Sequence, residues 1–184
     1  MITETFGQIF AVKWVNRDAN IIDDINSFTK LVNDYYPDYI FFDKKNIKSL
    51  GNFSTIYTFG RYSLLKTKNQ KKKILNDHLS LLISTSGSTG SSKLVRQSLS
   101  NINNNTDSIV NYLKILETDI TITTLPMSYV YGLSIINTHL SQGATVVMNT
   151  ESVIRKEFWN NLQKNKVNNF GGVPYIYSIL EKID

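Results

Sequence analysis

The segment from Leu79 to Val95 constrains this chain more than any other. It begins with an apolar run at 79–83 that has the composition of a buried strand, and it ends in a second apolar pair at 94–95. Between these runs, nine consecutive residues from Thr85 to Lys93 offer only hydroxyls, hydrogens and one terminal ammonium. Side chains this small and polar cannot pack a core, so the sequence predicts an exposed bend held between two strands.

The same bend has the chemistry of an anion cradle. Glycines in it permit a positive φ and a close approach of the backbone, so several N–H groups can face one point while the lysine adds charge. The candidate phosphate-binding residues are Thr85, Ser86, Gly87, Ser88, Thr89, Gly90 and Lys93. We predict a polyphosphate ligand, most simply that of ATP, and the alternative is a solvated loop. The spacing is not that of a Walker A loop, which needs Gly, four residues and then Gly-Lys-Ser/Thr.

Three further blocks follow in order: LPMSYVYGL at 125–133, GATVV at 143–147 and GVP at 172–174. Together with the segment TSGSTGSSK, these blocks resemble the AMP-binding, adenylate-forming superfamily of acyl-CoA synthetases, luciferases and peptide-synthetase adenylation domains. The resemblance spans about Pro37 to Leu180. The family signature has proline before the lysine and glycine after it, where this chain has Ser92 and Leu94.

The resemblance implies an ATP-dependent ligase that activates a carboxylic acid as acyl-AMP, with ATP and Mg²⁺ as cofactors. Lys93 would neutralise the phosphates and Thr85 would lie near the magnesium ion. The residues that the resemblance places at the substrate pocket are Tyr129, Tyr131, Gly132, Gly172 and Pro174. For the two tyrosines, packing of the helix start is the alternative interpretation.

Strand and helix signals alternate along the chain. Strands are predicted at 39–42, 53–59, 79–83, 119–125, 144–148 and 167–170. Five helices are predicted. The first ends at Pro37, the second is capped by Ser98 or Ser100, and the third runs from Gly132 to Gln142. The fourth starts at Ser152, with Ile154, Phe158 and Leu162 inward, and the fifth starts at Pro174. Repeated strand–helix units predict an α/β fold with a mainly parallel β-sheet covered by helices on both faces.

We expect one partial AMP-binding domain over 1–184, in which 1–78 form an N-terminal part and 79–184 form the α/β core. The family's Tyr-Gly-x-Thr-Glu block, ribose-binding aspartate and C-terminal lysine follow its GVP turn, and only ten residues follow Pro174 here. We therefore expect a truncated domain that is inactive or weakly active alone. A non-catalytic interaction domain, which needs a partner chain or self-associates through an uncovered sheet edge, is an alternative.

Charge is concentrated in one segment. Nine basic residues and no acidic residue lie from Lys44 to Lys73, in a chain of net charge +5. A nucleic-acid binder that uses this basic segment is a further alternative. A solvated loop is the simpler interpretation, because we interpret the nearby aromatic residues Phe53, Tyr57 and Phe59 as a buried strand.

Composition excludes several other classes of site. The chain has no cysteine, which rules out disulfides, thiolate metal sites and thiol catalysis and is compatible with a reducing cytoplasm. No apolar run has the length of a membrane span. Its two histidines, His78 and His139, cannot make a metal site alone. We expect His78 to be exposed and His139 to be a packed or surface residue.

Overall fold

The computed structural model describes residues 29, 32–43, 53–60, 62–68, 76–84, 94–127 and 129–182, and at 41–43 and 84 it describes the backbone only. Within these residues the strands are β1 (Tyr39–Asp43), β2 (Phe53–Phe59), β3 (Tyr62–Thr67), β4 (Leu79–Ser84), β5 (Leu94–Ser98), β6 (Ile120–Ile122) and β7 (Thr145–Val147). The helices with full ranges are α1 (Leu99–Leu113), α2 (Val130–Ser141), α3 (Lys156–Lys164) and α4 (Pro174–Leu180). Residue 29 and residues 32–35 are also helical, just before Pro37, where a helix was predicted to end. The chain divides into two compact units, Met1–Leu82 and Ile83–Asp184.

The first unit contains a three-stranded antiparallel sheet in the order β1-β3-β2. Its buried core is formed by Ile40 of β1 and Leu65 of β3, which are register partners, with Val32 and Phe53 packed against them. β3 is not among the strands predicted from the sequence. The buried positions of β3 are Ser63 and Leu65. Because one of them is polar, the strand lacks the alternation of apolar and polar residues that marks a strand in a sequence.

β2 forms where it was predicted, but the prediction that it is buried is wrong. Tyr57 and Phe59 are 62% and 70% exposed. Within the described sheet β2 pairs on one side only, and its register shifts between Thr55 and Tyr57. An edge strand with such an irregularity leaves side chains without a packing partner. Burial of these aromatics therefore no longer argues against nucleic-acid binding, which stays a prediction.

The second unit contains the parallel pairing that the sequence predicted. β6 and β7 are parallel, with Thr121 opposite Val146, and a parallel bridge joins Thr121 to Asn169. The strand predicted at 167–170 is reduced to that single bridge. The α/β class is confirmed, with parallel pairing in this unit and antiparallel pairing among β1, β3 and β2.

Helices cover both faces of the β6–β7 pair. Adjacent residues of a strand point to opposite faces, so Thr121 and Ile122 show what packs on each face. Ile122 lies in a core cluster with Phe158 of α3 and Ile176 of α4. Thr121 shares the other face with Asn169, whose side chain meets His139 of α2. The predicted two-sided covering is therefore present around β6.

Local chemistry accounts for three helix boundaries that the sequence predicted. Ser98 caps α1, since its hydroxyl accepts the Asn101 N–H at 3.1 Å while the Asn101 side chain accepts the Ser98 N–H at 3.2 Å. Gly143 follows the end of α2 with φ of 76°, a left-handed conformation that suits glycine. Pro174 occupies the first turn of α4, where its missing N–H costs nothing.

The predicted start of α3 at Ser152 is wrong. The helix begins at Lys156, after a turn in which the Arg155 N–H donates to the Ser152 carbonyl at 2.9 Å. Ile154 belongs to that turn and is 61% exposed, whereas Val153 is buried in the core. Helical periodicity does not extend into a turn, so it assigned the wrong residue of this pair to the interior.

Thr121→Val is expected to stabilise the second unit by about 1 kcal/mol, because it removes an uncompensated buried hydroxyl. Thr121 is fully buried, and its Oγ1 has no hydrogen-bond partner. Chemical denaturation measures the free energy of unfolding. Thr123→Val is the matched control: the Thr123 hydroxyl accepts the Asn149 N–H at 2.9 Å, so its loss should destabilise. A Thr121→Val protein less stable than the wild type would contradict the prediction.

Candidate functional site

The predicted phosphate loop is held between two described strands. β4 leads into it and β5 leads out of it, and the two strands form one two-stranded sheet. All seven candidate phosphate-binding residues from Thr85 to Lys93 lie outside the described residues. Their phosphate-binding role therefore stays a prediction, whereas both flanking strands are confirmed.

The carboxyl end of β6 is bound to the segments beside it through two consecutive threonines. The Thr123 hydroxyl donates to the Asn149 carbonyl at 3.2 Å, just after the end of β7. The Thr124 hydroxyl donates to the Gly171 carbonyl, two residues after the bridge at Asn169. Three segments thus meet at the carboxyl ends of these strands. This is the edge of the sheet at which ligands bind in open α/β folds.

Leu125 and Pro126 lie close to the start of α2. The Tyr129 N–H donates to the Pro126 carbonyl at 3.0 Å, and Tyr129 is the N-cap residue. A Cβ atom on Gly132 would overlap the Pro126 carbonyl oxygen and lie 2.8 Å from that of Leu125. Gly132 is therefore required by close backbone packing, and this packing determines where the neighbouring Tyr131 lies.

One face of α2 lies against the segment 169–171. Residues spaced by four share a helix face, and Tyr131, Ile135 and His139 have that spacing. A Cβ atom on Gly171 would lie 2.9 Å from both Tyr131 Oη and Ile135 Cδ1. One turn further along α2, His139 Nε2 lies 3.1 Å from Asn169 Oδ1.

His139 is a packed residue, as one of its two predicted interpretations stated. It is buried, and its Nδ1–H donates to the Ile135 carbonyl at 2.8 Å. His78 is exposed, as predicted. Among the described residues, no group of three or more His, Cys, Asp or Glu side chains is arranged to hold a metal ion.

A second aromatic residue lies at the same sheet edge. A Cβ atom on Gly172 would lie 3.1 Å from Tyr177 Cε2, and Tyr177 belongs to α4, which Pro174 begins. Gly171 and Gly172, here called the glycine step, therefore have Tyr131 and Tyr177 as close neighbours. Both phenols are partly open to solvent, at 43% and 47% exposed.

Of the five predicted pocket residues, Tyr131 and Gly172 lie at this glycine step, and Pro174 follows it at the start of α4. Gly132 packs instead against the carbonyls of Leu125 and Pro126, and the role of these residues in a pocket stays a prediction. Tyr129 is exposed at the helix start. Thr124 and Tyr177 were not among the predicted site residues. The spacing of four in 131, 135 and 139 is a signal that could have identified the α2 face, but no sequence signal identifies Thr124.

A comparison with protein-family models matches residues 23–183 to the model described as AMP-binding enzyme. This chain belongs to the AMP-binding enzyme family. The family match extends over the phosphate segment, the block at 125–133 and the GVP turn, so the resemblance seen in these motifs is confirmed. A search of curated proteins gave no match.

Solved structures of adenylate-forming enzymes share the fold of this AMP-binding family member. The N-terminal domain of FACL13 from Mycobacterium tuberculosis, solved with an inhibitor, is similar at a TM-score of 0.52 and 20% identity, covering 61% of this chain and 29% of that one. A double mutant of o-succinylbenzoate CoA synthetase from Bacillus subtilis, bound to its product analogue, has a TM-score of 0.51 and 28% identity, covering 58% and 22%.

The same Bacillus subtilis synthetase in complex with ATP and a magnesium ion has a TM-score of 0.51 and 26% identity, covering 64% of this chain and 25% of that chain. This AMP-binding family member therefore spans between 22% and 29% of the length of these three structures. Among its described residues, no helix is both long and apolar enough to span a membrane.

Proposed function

We propose that this chain carries the triphosphate- and acid-binding part of an adenylate-forming ligase, which activates a carboxylic acid as acyl-AMP. The observation that carries the proposal is the hydroxyl- and glycine-rich segment ending in Lys93, which connects β4 to β5 in a member of the AMP-binding family. A structure at 26% identity is a synthetase in complex with ATP and magnesium, which supports the same ligand here. A cytoplasmic location, consistent with the lack of cysteine, is part of this proposal.

The proposed reaction is a displacement at the α-phosphorus of ATP. A carboxylate oxygen forms a new bond to that phosphorus, and the bond from the phosphorus to the oxygen bridging to the β-phosphate breaks. Pyrophosphate leaves with the electron pair, and acyl-AMP remains. Because negative charge is spread over the phosphate oxygens, fixed N–H and hydroxyl donors with one cation stabilise the transition state.

Each part of the segment has a proposed role in that displacement. Ser86, Ser88 and Thr89, with the intervening backbone amides, hold the β- and γ-phosphates. Lys93 neutralises their charge. This donor set of hydroxyls, amides and one ammonium suits a polyphosphate.

The described residues do not provide a set of ligands for magnesium. We propose that the Thr85 hydroxyl is the protein group nearest to an Mg²⁺ ion that ATP brings as its phosphate complex. When bound, the ion withdraws charge from the phosphate oxygens. The proposed displacement depends in this chain on the donors between β4 and β5.

The acid is proposed to bind at the glycine step between Tyr131 and Tyr177. Gly171 and Gly172 carry no side chain, and the two tyrosine rings lie beside them. The rings provide apolar surface with a polar tip, which suits the body of an organic acid better than its charged end. Tyr129, exposed at the start of α2, is placed at the outer side of this pocket in the proposal.

Lys93→Ala is expected to weaken binding of Mg·ATP at least about tenfold, because the proposed contact between the Lys93 ammonium and the phosphates of ATP is lost. Isothermal titration calorimetry of the full chain with Mg·ATP measures the change. Pyrophosphate release with acetate, octanoate and benzoate then tests whether the chain also turns over.

Lys164→Ala is the matched control, since Lys164 lies in the last turn of α3 and is exposed. It removes the same charge without touching the proposed site and should leave the affinity unchanged. A wild-type chain that shows no heat with Mg·ATP, or a Lys93→Ala chain that binds it as well as the wild type does, would refute the proposed function.

A further inference from the structure

The Thr124 hydroxyl makes a hydrogen bond just beyond the point where the parallel pairing beside β6 ends. The bridge between Thr121 and Asn169 is isolated, so the sheet does not continue to hold the chain beyond Asn169. Two residues further on, the Gly171 carbonyl accepts the Thr124 hydroxyl hydrogen. This side-chain bond substitutes for a ladder bond and ties the glycine step to the end of β6.

The position of the glycine step limits where both phenols can lie. A Cβ atom at Gly171 would lie 2.9 Å from Tyr131 Oη, and one at Gly172 would lie 3.1 Å from Tyr177 Cε2, so both side chains lie close to the two glycines. Because these side chains pack beside the two glycines, we expect a displacement of this backbone segment to move the rings. A hydrogen bond that holds the Gly171 carbonyl therefore helps to fix the backbone beside both tyrosines.

We propose that Thr124 is a positioning residue for the acid pocket, acting through the Gly171 carbonyl on the distance between the Tyr131 and Tyr177 rings. Thr124 does not touch the reacting atoms in this proposal. Its hydroxyl sets the width of the slot that receives the organic acid. The link to the acid rests on the proposed function, whereas the link to the two rings does not.

The first experiment needs no ligand. Thr124→Val keeps the shape of the side chain and removes the hydroxyl, and Thr124→Ser keeps the hydroxyl. NMR signals of the Tyr131 and Tyr177 rings and of the Gly171 and Gly172 amides are compared in the full chain. Tyr131→Phe and Tyr177→Phe variants assign the ring signals.

We expect Thr124→Val to shift these four sets of signals and Thr124→Ser to leave them close to those of the wild type. Unchanged signals in Thr124→Val, or equal shifts in both variants, would overturn the proposal. If Thr124→Val does not fold, Thr124→Ala provides the same comparison in a smaller side chain.

The second experiment measures pyrophosphate release with whichever of acetate, octanoate and benzoate gives the highest rate. We expect Thr124→Val to raise KM for the acid about tenfold while KM for ATP and kcat stay near wild-type values, since a misplaced binding group weakens ground-state and transition-state binding alike. A general loss of folded protein would instead lower kcat for any substrate pair. If the wild-type chain shows no turnover, the Mg·ATP titration tests the proposed function and the ring signals decide the role of Thr124.

Discussion

Phe158→Ala is expected to lower the free energy of unfolding by about 4 kcal/mol, the largest stability effect of any substitution proposed for this chain. Phe158 is fully buried at the centre of the core cluster with Ile122 and Ile176. Its ring meets those of Trp159 and Phe170 edge to face, with centroids 5.2 and 6.0 Å away. Truncation removes these contacts and leaves a cavity that neighbouring side chains only partly fill.

Chemical denaturation followed by circular dichroism measures this loss. Tyr112→Ala is the control, because Tyr112 is an aromatic residue on α1 that is 84% exposed, and its removal should change stability by less than about 0.5 kcal/mol. If the two variants lost similar stability, the cluster around Phe158 would not be the main core of the second unit.

Gly132→Ala is expected to destabilise the chain by about 3 kcal/mol, because the added methyl group has no space. The atoms that it would meet are the carbonyl oxygens of Leu125 and Pro126. Backbone atoms cannot rotate away as a flexible side chain can, so α2 must shift relative to 125–126. The Tyr131 ring, one residue earlier, would move with it.

Thermal unfolding of Gly132→Ala measures this cost, and Gly60→Ala separates it from the general effect of replacing a glycine. Gly60 has φ of 54° and no heavy atom within 4 Å of the added Cβ. Its replacement should cost only the left-handed backbone penalty, about 1 kcal/mol. A Gly132→Ala protein that unfolds at the wild-type temperature would show that the turn at 125–132 adapts freely.

Features with a local cause were predictable from the sequence. The cap at Ser98, the left-handed Gly143 and the helix start at Pro174 each depend on groups within a few residues, and all three are confirmed. The strands on either side of the phosphate segment were also predicted, because apolar runs beside a small polar bend have few other ways to fold.

Features that depend on distant partners were not predictable in the same way. β3 was missed because Ser63 occupies an inward position, and only its pairing with β1 and β2 explains the burial of that serine. The exposure of Tyr57 was missed because strand composition does not reveal whether a strand is central or at an edge.

The candidate pocket shows the same difference between local features and features that depend on distant partners. The sequence by itself determined the family, the hydroxyl-rich segment that ends in Lys93 and most of the residue types at the sheet edge. Only the tertiary structure decided that Tyr131, Gly171 and Tyr177 meet and that Thr124 holds the carbonyl between them. The physical reason is sequence separation: a hydrogen bond across 47 residues depends on how β6, α2 and α4 pack, which no short motif encodes.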